Sequence, residues 1–283
     1  MNSNLARQIR RDSIRMVVHA GSGHVGGAMG AAEIFAVLYG ETLNYRAHDP
    51  AWNDRDRLIL SNGHICAAWY SVLSRTGHFP VEELATHRRF GSRLQGHPTR
   101  AKLGSLVETA SGPLGQGLSV ANGIALSCRM DGRTNRVFCL LGDGEMAEGQ
   151  VWEALMTAGH YSLSNLVVVV LNNGVQIDGY TKHIKNQEPL NERLEAFGWE
   201  VLRVDGHDEK VIANAFLPLS SRTKPLAIIA DVLMAKGYAP WEGQPKWHGT
   251  TPSRAEAIEA LDSIGKAPGF TDFMIPTLQG EVL

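Results

Sequence analysis

Two short segments hold the side chains best suited to gripping a charged ligand. Leu141-Gly142-Asp143-Gly144-Glu145 and Leu171-Asn172-Asn173-Gly174-Val175-Gln176-Ile177-Asp178-Gly179 each follow a run of Val, Ile and Leu. Asp143 and Asn173 are 173 − 143 = 30 residues apart, about one strand-to-strand crossover through a helix. That spacing predicts an aspartate and an asparagine side by side at the ends of adjacent parallel strands. With a backbone carbonyl they form a hard oxygen set suited to Mg²⁺ or Ca²⁺, leaving positions for phosphate oxygens. The glycines let the backbone approach a diphosphate, and the start of a following helix favours its charge. Taken singly, each segment also reads as an ordinary turn after a strand, where Gly, Asp and Asn collect.

Histidines form the second group. His24, His64, His97 and His248 each sit in a Gly-flanked or Pro-flanked segment away from the middle of any element, and such loops expose side chains to clefts. Imidazoles there can donate to hydroxyls, contact diphosphate oxygens and move protons near neutral pH. His19, His48, His78, His87, His160, His183 and His207 are read as structural side chains. A competing reading exists at the first loop. Gly21-Ser22-Gly23-His24-Val25-Gly26 fits the dinucleotide pattern G-x-G-x-x-G, with Met16 to Val18 as its strand and Glu41 as its acid. Against that, Leu5, Ile9, Ser13, Met16, Val17 and Ala20 keep a helical period, and a histidine occupies the loop.

The elements that must position these groups follow from periodicity. Apolar runs at Val137 to Leu141, Leu166 to Leu171, Glu200 to Val204 and Leu226 to Val232 alternate with helix-like stretches at Glu148 to His160, Glu192 to Phe197 and Asp208 to Phe216. Strands without polar alternation are buried on both faces, so the pattern predicts an α/β fold, a parallel sheet with helices on both faces. Its ligand is expected beyond the carboxyl ends of the strands. Residues 1–252 are read as one diphosphate- and metal-binding domain. Residues 253–283 are read as a short helix, Ala255 to Ile264, and a tail with Pro268, Gly269, Pro276 and Gly280 that serves as a linker or a partner-hugging arm.

Composition removes several function classes. A share of 43% hydrophobic and 20% charged residues is that of a globular chain. A formal charge of −2 offers no concentrated basic face for nucleic acid or an anionic membrane. The apolar runs fall well short of the roughly 20 residues of a membrane helix. Arg7, Arg10, Arg11 and Arg15 are not followed by the apolar core and cleavage site of a secretory signal, so a cytoplasmic protein is expected. Cys66, Cys128 and Cys139, odd in number and widely spaced, suit core positions better than disulfides or zinc.

The paired metal segments resemble the thiamine-diphosphate signature, and Gly142 through Gly179, with Glu148-Gly149 and Ala158-Gly159-His160, resembles transketolase in particular. Other segments match that family in order: Gly21-Ser22-Gly23-His24, with Val25 where a proline is common; Leu60-Ser61-Asn62-Gly63-His64; Gly96-His97-Pro98; Glu108 through Gly117; and Trp247-His248-Gly249. The resemblance runs from about Ile14 to about Pro252. It implies thiamine diphosphate as cofactor, with Mg²⁺ or Ca²⁺ held by Asp143, Asn173 and the Val175 carbonyl. It implies cofactor contacts from His64, Gly112, Leu114, Gly142, Asp143, Gly144, Glu148, Asn173 and His248. It assigns catalytic work on a sugar to His24, His64, His97 and His248, and a subunit contact to Glu148 and Glu153. Enzymes of the family carry a two-carbon ketol unit from a ketose phosphate to an aldose phosphate, using the thiazolium ring of the cofactor. The glutamate that activates that ring belongs to a second, pyrimidine-binding domain. With nothing of that domain after Trp247-His248-Gly249, a separately encoded C-terminal subunit is expected as partner, in an assembly of two copies of each. Two alternatives stand beside this reading: the alpha subunit of a 2-oxo acid dehydrogenase, which is similar in carrying the paired metal motif, and a non-catalytic module that keeps the fold.

Overall fold

A computed structural model describes residues 2–217 and 221–275. Its strands are β1 (Arg57–Leu60), β2 (Val137–Gly142), β3 (Leu166–Asn172), β4 (Val175–Gln176), β5 (Gly179–Tyr180), β6 (Glu200–Asp205) and β7 (Leu226–Asp231). The α-helices are α1 (Asn2–Ala20), α2 (Val25–Gly30), α3 (Ala32–Val37), α4 (Cys66–Arg75), α5 (Arg100–Leu103), α6 (Gly117–Met130), α7 (Gly149–His160), α8 (Thr181–Ile184), α9 (Leu190–Ala196), α10 (Glu209–Ala215) and α11 (Arg254–Ile264). Five strands form one sheet in the order β1-β2-β3-β7-β6, every pair parallel. The small β4–β5 hairpin stands apart.

Burial on both faces explains why the central strands are so apolar. Phe138 and Leu140 of β2 and Val167, Val169 and Leu171 of β3 enter one core with α1 to α4, α10 and α11. Their neighbours Val137, Cys139 and Leu141 of β2 and Leu166, Val168 and Val170 of β3 enter a second core with α6, α7 and α9. Alternate side chains thus meet helices on opposite faces, and no position is left for a polar residue. β6 departs from this pattern. As the edge strand it leaves Glu200, Arg203 and Asp205 exposed, and Arg203 pairs with Glu188 and Asp231. β1 has only Leu58, Ile59 and Leu60 as an apolar run, too brief a signal to mark a strand.

Helix α1 overturns the dinucleotide reading, because Met16 to Val18 lie inside it and no strand precedes the Gly21–Gly26 loop. Glu41 accepts a hydrogen bond from Asn2 Nδ2, remote from that role. The helix is a central pillar. Arg10 pairs with Glu33 at 2.5 Å, and Asp12, fully buried, receives Arg75 at 2.8 Å.

The tail is also corrected. Arg11 pairs with Asp272 at 2.5 Å and Arg15 donates to the Phe273 carbonyl at 2.5 Å, while Phe273 and Ile275 are buried. Residues 266–275 therefore pack on α1 of the same chain rather than running free as a linker. Pro276 and Gly280 lie outside the described residues. All three cysteines are free and buried, as expected of core positions. Among the described residues no helix is long and apolar enough to cross a membrane.

Candidate active site

A cavity of about 430 Å³ opens at the carboxyl ends of β2, β3 and β7. Asp143 and Asn173 both line it, delivered by adjacent strands paired in register up to Gly142 and Leu171. The Asp143 carboxylate bridges the two strand ends: Oδ1 accepts from Gly144 N at 3.0 Å and Oδ2 from Gly174 N at 2.7 Å. Asn173 Oδ1 accepts from Val175 N at 2.8 Å, across Gly174 at φ +72°. Burial pushes the Asp143 carboxyl up to about 7, because these amides only partly replace lost water. A buried acid in that condition gains from a nearby cation. Among the described residues no cluster of three or more His, Cys, Asp or Glu side chains is arranged for a metal.

The histidines converge on the same cavity. Ring centroids of His24 and His64 are 5.1 Å apart, those of His64 and His248 5.3 Å, and those of His24 and His248 5.9 Å. His97 lines the wall beside them. Burial, then the nearby His248 ring, pushes His64 down to about 3 and His24 to about 4; burial also lowers His97 and His248. All four are neutral near pH 7, so each offers one donor and one acceptor. The Nδ1 atoms of His24 and His248, Asn62 Oδ1 and Gln176 Oε1 are buried without a protein partner, and all four residues line the cavity. Such orphaned polar atoms mark a site shaped for a polar ligand.

Gly112, Leu114, Gly142, Gly144, Val175 and Glu148 line the cavity as well. Glu153 does not. It is exposed on α7, outside the cavity. The seven histidines read as structural stay out of the lining. His207, for instance, accepts from Leu233 N at 2.8 Å through Nε2 and reaches Glu33 with Nδ1 at 3.0 Å.

Sequence reasoning misses several lining residues: Asn62, Glu145, Gln176, Ile177 and Val232. The first four stand inside the motifs as apparent spacers. Val232 is hidden by topology, since β7 inserts between β3 and β6 and brings its end beside Asn173. Val232 N donates to Asn172 O at 3.0 Å there.

A cleft of this build, at the strand ends of a parallel sheet, defines an α/β protein that holds an anionic cofactor. The family model described as transketolase, thiamine diphosphate binding domain, matches residues 1–279, and the chain belongs to that family. It is 39% identical over 245 residues to the 6-deoxy-6-sulfo-D-fructose transketolase subunit SqwG of Clostridium sp. (strain MSTE9), covering 86% of this chain and 88% of that one. It is 36% identical over 262 residues to one of the subunits of the apulose-4-phosphate transketolase of Actinobacillus succinogenes, covering 92% and 94%. The crystal structure of Campylobacter jejuni transketolase superposes with a TM-score of 0.89 at 35% identity, over 97% of this chain and 44% of that chain. The chain thus spans less than half the length of the solved transketolase but most of the length of the two subunits.

Proposed function

We propose that this chain is the thiamine-diphosphate-binding subunit of a two-subunit transketolase. It acts on a ketose phosphate and an aldose phosphate, and needs a partner that carries the pyrimidine-binding domain. The observation that carries the reading is the shared cavity of Asp143, Asn173 and four neutral imidazoles at the strand ends. The partner requirement is supported by two relatives of nearly the same length, both named as subunits.

The residues present fit the cofactor. Asp143, Asn173 and the Val175 carbonyl would hold Mg²⁺ or Ca²⁺, with diphosphate oxygens completing the shell. Gly142 and Gly144 leave room for the phosphates, and His64 and His248 offer neutral donors to them. Gly112, Leu114 and Glu148 would contact the rest of the cofactor, a reading supported by their place in the lining of the same cavity. When bound, thiamine diphosphate supplies the carbon centre that accepts and releases the two-carbon unit. The protein's task is binding and orientation. His24 and His97, both neutral, would hydrogen-bond the sugar hydroxyls and move protons at the substrate oxygen without adding net charge. Glu148, at the cavity edge, and Glu153, exposed on α7, are proposed to meet a second subunit.

The test pairs the chain with the subunit that co-purifies with it. Two-carbon transfer from a ketose phosphate to an aldose phosphate is expected, with no decarboxylation of a 2-oxo acid. Decarboxylation instead would support the 2-oxo acid dehydrogenase alternative, and absence of cofactor affinity would leave only a non-catalytic module.

A further inference from the structure

Glu145, one of the residues lining the cavity, has no part in the functions assigned so far. Its side chain is buried, at 2% exposure, in surroundings made of donors. Oε1 accepts from Gly115 N at 2.8 Å and also from the Ser61 hydroxyl, while Oε2 accepts from Gly142 N at 3.1 Å. The Ser61 oxygen in turn accepts from Gly117 N at 3.1 Å. One carboxylate thus ties together the end of β1, the end of β2 and the loop that begins α6. Packing makes the tie intimate. A Cβ on Gly117 would fall 2.4 Å from Ser61 Cβ, and Gly115 turns at φ +80° with Glu148 against it.

We propose that Glu145 is a positioning residue that sets the Gly112–Gly117 loop in register with the strand end bearing Asp143. This rests on the cleft being the thiamine diphosphate site. The Asp143 end then holds the diphosphate, the loop holds the organic half of the cofactor, and the Glu145 carboxylate fixes the distance between them. An acceptor-only group is required. Both backbone donors point at it, so a glutamine in either orientation turns its NH₂ toward Gly115 N or Gly142 N, leaving one buried N–H without an acceptor. Loss of register affects a ligand that spans both ends more than one that occupies the diphosphate end alone.

The test compares two ligands in the full chain together with any co-purifying subunit: thiamine diphosphate and inorganic pyrophosphate, each with Mg²⁺, titrated by calorimetry. Glu145→Gln is expected to weaken thiamine diphosphate at least about tenfold more than pyrophosphate. Ser61→Ala, which spares the Gly142 contact, should move the ratio of the two affinities in the same direction by a smaller factor, and it decides the matter if Glu145→Gln does not fold. A purely structural glutamate would weaken both ligands equally, and an unchanged ratio in the folded variants overturns the proposal. Asp143→Ala should weaken both ligands together. If it weakens neither, the cofactor reading itself falls and takes this proposal with it, a result distinct from an unchanged ratio.

Discussion

Gly26 sits where the first histidine loop meets the last. A Cβ added there would lie 2.5 Å from Met234 Sδ and 2.6 Å from the Trp247 carbonyl oxygen. The methionine sulfur can swing away, but the carbonyl belongs to the backbone that carries His248. To reach an ordinary contact of 3.4 Å it must retreat by 3.4 − 2.6 = 0.8 Å. Overpacking of this kind costs about 1–3 kcal/mol, partly offset by about 0.5–1 kcal/mol from replacing a helical glycine with alanine. Gly123 in α6 would have nothing within 4 Å of an added Cβ, so Gly123→Ala isolates that gain. Urea denaturation should show Gly123→Ala stabilised and Gly26→Ala less stable than it by about 1–3 kcal/mol. The displacement of His248 should also lower turnover with the partner by up to about 100-fold, the scale for a misplacement of about 1 Å. Equal stability of the two alanine variants, or full turnover in Gly26→Ala, would refute the packing argument.

Other outcomes follow from buried charge and titration. Asp12 is fully buried and accepts from Gln8, Ser71 and twice from Arg75. Asp12→Ala should cost about 3–5 kcal/mol in chemical denaturation by stranding the Arg75 guanidinium, and a loss under about 1 kcal/mol, typical of surface pairs, would contradict that account. His87 is buried and pushed down to about 4 from an ordinary 6.5, mainly by burial and then by Arg88. The unfolded chain therefore binds this proton first as pH falls, so the stability is intact above pH 6.5 and lost towards pH 4. The gap corresponds to about 3 kcal/mol at roughly 1.36 kcal/mol per pH unit. His87→Gln should show a pH–stability curve shallower by that amount, and parallel curves would count against the assignment.

The fold is legible in the sequence where burial erases ambiguity. β2, β3 and β7 are apolar because helices cover both faces, so their runs and the glycine-rich turns after them can be read from the chain alone. β1 is harder because it offers only three apolar residues, whereas the run from Glu200 to Val204 still marks β6 although it is an edge strand with Glu200, Arg203 and Asp205 exposed. The arginines of α1 give no hint of their burial, since their partners Glu33 and Asp272 lie 23 and 261 residues away. The same distance hides the docking of residues 266–275, where proline and glycine suggest a linker. Within the site, Asp143, Asn173 and the four histidines are visible because their residue types stand out in glycine-rich loops. Glu145 and Gln176 are not, because a buried acceptor leaves no periodic or compositional trace.

If Asp143 and Asn173 hold a divalent ion that anchors the cofactor's diphosphate, removing the carboxylate must remove the metal dependence of binding. Calorimetric titration of thiamine diphosphate into Asp143→Ala, with and without Mg²⁺, tests this most directly. Mg²⁺-dependent binding is expected to disappear while thermal unfolding stays cooperative; binding at undiminished affinity, with the same dependence on Mg²⁺, would contradict it.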